Sequence, residues 1–265
     1  MGKYGIMGLL AEKRHNYILD KLKSSGRVTV TEVAQVFEVT EVTVRRDLSW
    51  LQKQNLVKKT YGGAVLPNLP EINISVRFRH TLNLQAKRII GELTSRLISD
   101  GDVIYLEAGS TCYEIVPHLA KFNDLTVIVN SLHLMSRLHE QVKHKIIITG
   151  GMYRHERMDM LGPAAEASIS QLGGFKAFTS ADDISIESGI SGADVATVTF
   201  TRLVLRQAAK VVFVGDRSKF DNPALYKIAD IDELDFIVTD TAPSQDWHRV
   251  CREKGIRLIY PNRRD

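Results

Sequence analysis

Seven short runs rich in valine and isoleucine recur beyond residue 72, at 103–107, 125–130, 145–149, 175–181, 210–215, 234–239 and 256–260. Most are separated by amphipathic stretches of helical length. Short, continuous apolar runs of this kind are strands of a sheet buried on both faces. Strand and helix in alternation make an open α/β domain with a largely parallel sheet. Ligands of such sheets bind in the crevice beyond the carboxyl ends of the strands, where the strand order switches.

The first 66 residues follow a different rule. They hold 11 Lys/Arg against 6 Asp/Glu, whereas the remaining 199 hold 24 against 25. The whole net charge of +4 therefore resides in the first quarter of the chain. A small basic segment beside a near-neutral one suggests an anionic partner for the small part. The composition, 44% hydrophobic and 25% charged, is that of a globular protein and excludes fibrous, collagen-like and disordered classes. Cys112 and Cys251 have no CxxC or metal-ligand spacing, so a reduced, cytoplasmic chain with no metal and no cofactor is expected. No apolar run approaches the roughly 20 residues needed to cross a bilayer, so no membrane partner is expected. The first ten residues lack a long apolar core and a cleavage site and read as an extension, not a signal peptide.

From Arg14, the apolar Tyr17, Ile18, Leu19 and Leu22 recur at helical spacing and stop at Ser24-Ser25-Gly26. An extended Val28-Thr29-Val30 follows. Thr31 is expected to cap a second helix, Glu38-Val39 to make a tight turn, and Thr40 to cap a third helix over 41–54. On that helix Val44, Leu48 and Leu51 fall within about 60° of one another and form the buried stripe. Thr43, Arg46 and Trp50 project largely away from it, with Arg45 and Ser49 on the flank. This is a helix-turn-helix whose third helix enters a major groove N-terminus first. Arginine there reaches guanine or phosphate, and threonine reaches a base edge or phosphate. After it, Leu56 to Val65 reads as two strands around Gly62-Gly63, a wing that places Lys58 and Lys59 at backbone phosphates.

Arg14 to Leu66 resembles the winged helix-turn-helix of the DeoR family of bacterial regulators. The resemblance is carried by Thr43-Val44-Arg45-Arg46-Asp47-Leu48 and by Tyr61-Gly62-Gly63-Ala64. It implies Thr43, Arg45 and Arg46 as principal contacts to double-stranded operator DNA; Thr40, Lys58, Lys59 and Tyr61 are the further candidate contacts. The expected organisation is a winged helix over 12–66, a Pro-containing linker over 67–71 and an α/β domain over 72–265.

The ends of the candidate strands carry small and polar residues. Glu107-Ala108-Gly109-Ser110-Thr111 follows the first run and opens a helix, a setting suited to phosphate. Asn130-Ser131 follows the second, Gly150-Gly151 the third, Asp182-Asp183 the fourth, and Asp216-Arg217-Ser218-Lys219-Phe220 the fifth. Neither a GxGxxG fingerprint nor a Walker A loop is present. These segments resemble the DeoR effector domain, similar in fold to ribose-5-phosphate isomerase and CoA transferases. The resemblance implies a phosphorylated sugar or polyol as effector, with Gly109, Ser110, Thr111, Asn130, Gly151 and Lys219 as the carried-over contacts; Glu107, Gly150 and Asp183 at the same strand ends complete the candidate effector-binding set. The chain departs from the family pattern at Glu107, where Asp is usual, and at Ser110, where Thr is usual. It departs again over 179–183, and at Thr197 to Thr201, where a Glu and a Lys are usual.

The resemblance implies a repressor of a carbohydrate-utilisation operon, relieved by its effector; a helix-turn-helix that reads paired half-sites is expected to act as a homo-oligomer. The other reading is a sugar-phosphate isomerase-like enzyme with an appended DNA-binding domain, in which Glu107, Asp182 or Asp183 would be the general base.

Overall fold

The computed structural model describes residues 3–25, 27–54, 56–65, 79–80 and 82–261, with backbone alone at 3–9 and 23–25. The chain divides into two compact units, Met1–Asn83 and Leu84–Asp265. The linker expected at 67–71 lies outside the described residues.

In the first unit, helix α1 (Lys3–Ser25) leads into strand β1 (Arg27–Thr29), helix α2 (Val30–Val36) and helix α3 (Glu41–Lys53). Strands β2 (Lys58–Thr60) and β3 (Gly63–Val65) follow and form the wing. Two expectations need correction. Helix α1 begins at Lys3 and not at Arg14; Leu9 to Lys13 are good helix formers that extend it back from Arg14, and it also takes in Gly5 and Gly8, which local propensity does not favour. The cap of α2 is Thr29, whose side chain accepts from the Glu32 N–H, and not Thr31. Thr29 already has the extended backbone that a cap requires, so the helix starts two residues earlier.

The turn between α2 and α3 is sharp because Glu38 adopts a left-handed φ of 51°. Thr40 then caps α3, accepting from the Thr43 N–H. Val44, Leu48 and Leu51 are buried with Ile18, Leu22, Val28, Val30 and Val33 in one core. The three strands pair antiparallel in the order β1-β3-β2, with Tyr61-Gly62 as the tip. Gly63 is required by this pairing: a Cβ there would stand 2.0 Å from the Val28 carbonyl oxygen.

In the second unit, helix α4 (Leu84–Ser95) precedes β4 (Val103–Leu106), followed by a short α5 (Ser110–Tyr113), β5 (Thr126–Val129), α6 (Leu132–Gln141) and β6 (Lys145–Ile148). A hairpin, β7 (Met152–Arg154) and β8 (Asp159–Leu161), leads to α7 (Pro163–Ser170) and β9 (Lys176–Thr179). Then come β10 (Asp183–Ser185), β11 (Gly189–Gly192), α8 (Val195–Gln207), β12 (Lys210–Val214), β13 (Tyr226–Ala229), β14 (Phe236–Val238), α9 (Gln245–Glu253) and β15 (Arg257–Ile259).

All seven expected strands lie in one parallel sheet, in the order β15-β14-β12-β9-β4-β5-β6. Alternate residues serve opposite faces. Tyr105, Ala177, Val211, Phe213 and Ile237 pack with α7, α8 and α9. Leu106, Phe178, Val212, Val214 and Val238 pack with α4 and α6. The chain builds outward from β4 through β5 to β6, then returns to add β9 on the other side. The switch point is therefore between β4 and β9, and the crevice opens beyond Leu106 and Thr179. A second, antiparallel sheet of β10, β11 and β13 stands beside the β9 end.

Candidate functional site

The first candidate surface is the outer face of α3. Asp47 on its inner edge is buried, gripped by Arg14 Nε at 2.7 Å and by His15 Nε2 at 3.0 Å. Burial alone would raise the Asp47 carboxyl, but His15 and Arg14 hold it below the usual carboxylate range. His15 also stacks on Trp50, with ring centroids 4.6 Å apart. Trp50, expected to point outward, is thus half-buried against α1.

Outward, Arg45 and Arg46 are exposed. Arg45 donates to Glu41 at 2.7 Å, an exposed pair one helical turn apart. Arg46 carries no ion pair among the described residues. The Thr40 and Thr43 hydroxyls hydrogen-bond to each other at 3.1 Å. In the wing, Lys58 and Lys59 are exposed, and Lys59 Nζ donates to Ser49 Oγ at 3.0 Å, tying the wing to α3. Tyr61 at the wing tip is fully exposed. Val42, which the spacing did not single out, is 58% exposed on the same face. Its signal was available: at 100° per residue it lies about 150° from the buried stripe.

The second candidate is the crevice at the switch point. Glu107, just beyond β4, is buried and spans the switch. Its Oε2 accepts from the Thr179 hydroxyl and the Ser180 N–H, both at 2.6 Å, and its Oε1 accepts from the Thr201 hydroxyl at 2.7 Å. Burial pushes its carboxyl up, partly offset by these donors. Both oxygens are engaged, so Glu107 acts as a strap joining β4, β9 and α8. Thr201, on α8, is one of its three anchors.

Gly109 and Ser110 are half-buried beside Ser180, and Thr111 is buried. Asn130 is buried with both side-chain ends used: Oδ1 accepts from the Tyr105 hydroxyl at 3.1 Å, and Nδ2 donates to the Met160 carbonyl at 3.2 Å. Gly151 has a φ of 111°, and a Cβ there would stand 2.6 Å from the Leu161 carbonyl oxygen. Gly150 and Gly151 follow β6, two strands from the switch. Asp183 is buried, with Oδ2 accepting from the Asn222 N–H at 2.9 Å and Oδ1 without a partner. Burial pushes its carboxyl up to about 6, and Lys219 acts against that rise. Lys219, half-buried beyond β12, makes no ion pair among the described residues.

An ion network next to the crevice was not foreseen. Arg154 grips Asp159 with two hydrogen bonds, at 2.8 and 2.6 Å, and also bonds Asp194 and the Thr197 hydroxyl. Arg157 reaches Asp194 at 3.6 Å. It fastens the β7–β8 hairpin to the start of α8. Its bonds from the hairpin to α8 join residues 40 and 43 positions apart along the chain, so no local pattern announces it.

Among the described residues, no group of three His, Cys, Asp or Glu side chains is placed to hold a metal ion. No helix among them is long and apolar enough to cross a membrane.

A winged helix-turn-helix joined to an α/β sensor domain defines a DNA-binding transcriptional regulator. Residues 14–69 match the DeoR-like helix-turn-helix domain and residues 82–241 the DeoR C terminal sensor domain, so the chain belongs to the DeoR family. It is similar to the HTH-type transcriptional repressor GlcR of Bacillus subtilis (strain 168), 32% identical over 248 residues, covering 94% of this chain and 95% of that one. It is also similar to the HTH-type transcriptional repressor CsqR of Escherichia coli (strain K12), 24% identical over 253 residues, covering 96% and 97%. Among solved structures, a D-ribose-5-phosphate isomerase in complex with phospho-erythronic acid is similar over 52% of this chain and 54% of that one. Its TM-score is 0.40 and its sequence identity 16%.

Proposed function

We propose that this regulator represses a carbohydrate-utilisation operon and leaves its operator when a phosphorylated sugar or polyol binds the switch-point crevice. Residues 12–66 read DNA, 67–71 link, and 72–265 sense the effector. Thr43, Arg45 and Arg46 are the principal operator contacts, with Thr40, Lys58, Lys59 and Tyr61 on phosphates. Two copies act together, because a winged helix reads one half-site and operators present such sites in pairs. Its place of action is the cytoplasm, where the operon is.

The observation that supports the sensing role best is the crevice itself. Gly109, Ser110 and Thr111 follow β4 and Lys219 follows β12, the strands that flank β9 in the sheet. Hydroxyls and backbone N–H groups suit a phosphorylated polyol, and Lys219 supplies the counter-charge. Asp183 supplies an acceptor for sugar hydroxyls. Glu107, Asn130, Gly150 and Gly151 shape the walls. Both oxygens of Glu107 are committed to structural donors, which speaks against Glu107 as a general base and favours a sensor over a catalyst.

Thermal unfolding of the full chain with a panel of phosphorylated sugars and polyols tests this. A true effector raises the melting temperature by linkage and releases operator DNA at the same concentrations. The Lys219→Ala variant should lose both responses. A panel that moves neither the melting temperature nor DNA binding would overturn the sensing role.

A further inference from the structure

The basic face of α3 carries an exposed apolar residue at its N-terminal end. Val42 is the second residue of the helix, where a reading helix enters the groove, and it is 58% exposed. Arg45, Arg46, Ser49, Trp50 and Lys53 join it around a hollow of about 400 Å³. Arginine and lysine on this rim match the charge of a duplex, so the occupant of the face is double-stranded DNA. The major groove offers one aliphatic group to a valine: the C5-methyl of thymine.

We propose that Val42 is a specificity-determining residue that packs on a thymine methyl, in a step next to the base pair read by Arg46. This rests on the DNA-reading role given above. The division of labour follows from the side chains. Arg45 is drawn back along the helix by Glu41. Arg46, one turn beyond Val42 and on the same face, has no such restraint and can bridge guanine O6 and N7. Val42 and Arg46 project side by side, about 40° apart at 100° per residue, so they address neighbouring base pairs. A branched apolar group loses contact area when the methyl is absent, and it rejects the polar edge of cytosine or adenine in its place.

The test uses the full-length protein. A duplex is first enriched from a random oligonucleotide pool by repeated binding and recovery. Each thymine of the recovered site is then replaced singly by deoxyuridine, which removes only the methyl group. At one position per half-site the replacement should weaken binding about three- to fivefold, the range expected for one buried methyl. The Val42→Ala protein should bind the thymine and uracil duplexes within about twofold of each other, with an unchanged melting temperature because the site is exposed. Absence of any uracil-sensitive position overturns the inference, and so does a Val42→Ala protein that keeps the full sensitivity. Both results leave the DNA-reading role standing. Failure to enrich any duplex overturns that role and the inference with it.

Discussion

Arg14 Nε donates to Asp47 Oδ2 at 2.7 Å, joining the first helix to the reading helix through a pair that is almost wholly shielded from water. Asp47 sits between Arg46, which faces outward, and Leu48, which faces the core. The pair therefore fixes the rotation of α3 about its own axis, and with it the direction of Arg46. Replacing Asp47 by Ala leaves a buried guanidinium without its counter-charge, at a cost of about 3 kcal/mol or more. Thermal unfolding should show the loss, and operator binding should fall with it. The acid limb carries a second signature. The Asp47 carboxyl is held low, so its contribution is complete above the ordinary carboxylate range and disappears as pH falls below about 4. The Asp47→Ala protein should lack that part of the acid transition.

Arg46 and the wing lysines should behave differently under salt. Arg46→Ala removes a base contact, so binding to the operator should drop by about 10- to 100-fold while binding to unrelated DNA changes little. Lys58→Ala or Lys59→Ala removes a phosphate contact. Each should weaken binding to all sequences alike and lower the slope of affinity against salt by about 1. Gel shifts at several salt concentrations, on operator and random duplexes, separate the two patterns. Equal losses on both duplexes for Arg46→Ala would remove it from base reading.

Much of this architecture was legible in the residues. The seven parallel strands announced themselves because a sheet covered on both faces demands unbroken apolar runs, as in Val127-Ile128-Val129 and Val211-Val212-Phe213-Val214. The antiparallel strands β10 and β11 of the second unit did not. Asp183-Ile184-Ser185 and Gly189-Ile190-Ser191-Gly192 are three and four residues long and half polar, and only their pairing with each other and with β13 makes them strands. Thr29 and Thr31 are chemically identical caps, and tertiary pairing of β1 chose between them. The strand-end residues were found one by one, but the strap from Glu107 to Thr179, Ser180 and Thr201 joins positions up to 94 apart. Nothing local records such a bond.

That strap gives a stability prediction. Thr201→Val keeps the shape of the side chain and deletes one donor, leaving Glu107 Oε1 buried without its partner. The cost should be about 1–3 kcal/mol. With Glu107→Gln already present, the same Thr201→Val change should cost less, because both substitutions act on one hydrogen-bond network. Denaturant unfolding of the two single variants and the double variant measures the coupling. Strict additivity would show that Thr201 stabilises the fold by some other route.

Asp183 makes the opposite kind of prediction, since ionising it costs stability. Burial raises its carboxyl to about 6, helped by Asp221 and Asp182 and opposed by the Asn222 N–H and by Lys219. The folded chain then holds a proton that the unfolded chain releases above about pH 4. Stability from this group is fully present below pH 4, declines as pH rises to about 6, and is level beyond that. Asp183→Asn removes the charge and keeps an oxygen to accept from the Asn222 N–H. The variant should be more stable than the parent by about 1–3 kcal/mol at pH 7 to 8, and the gap should close towards pH 4. Melting temperatures of both proteins at pH 5, 6 and 7.5 decide the matter. A gap that stays constant with pH would mean that Asp183 does not titrate in this range. If Asp183 also faces the effector, the same substitution should weaken effector-dependent release of DNA while strengthening the fold, a combination that a purely structural residue would not give.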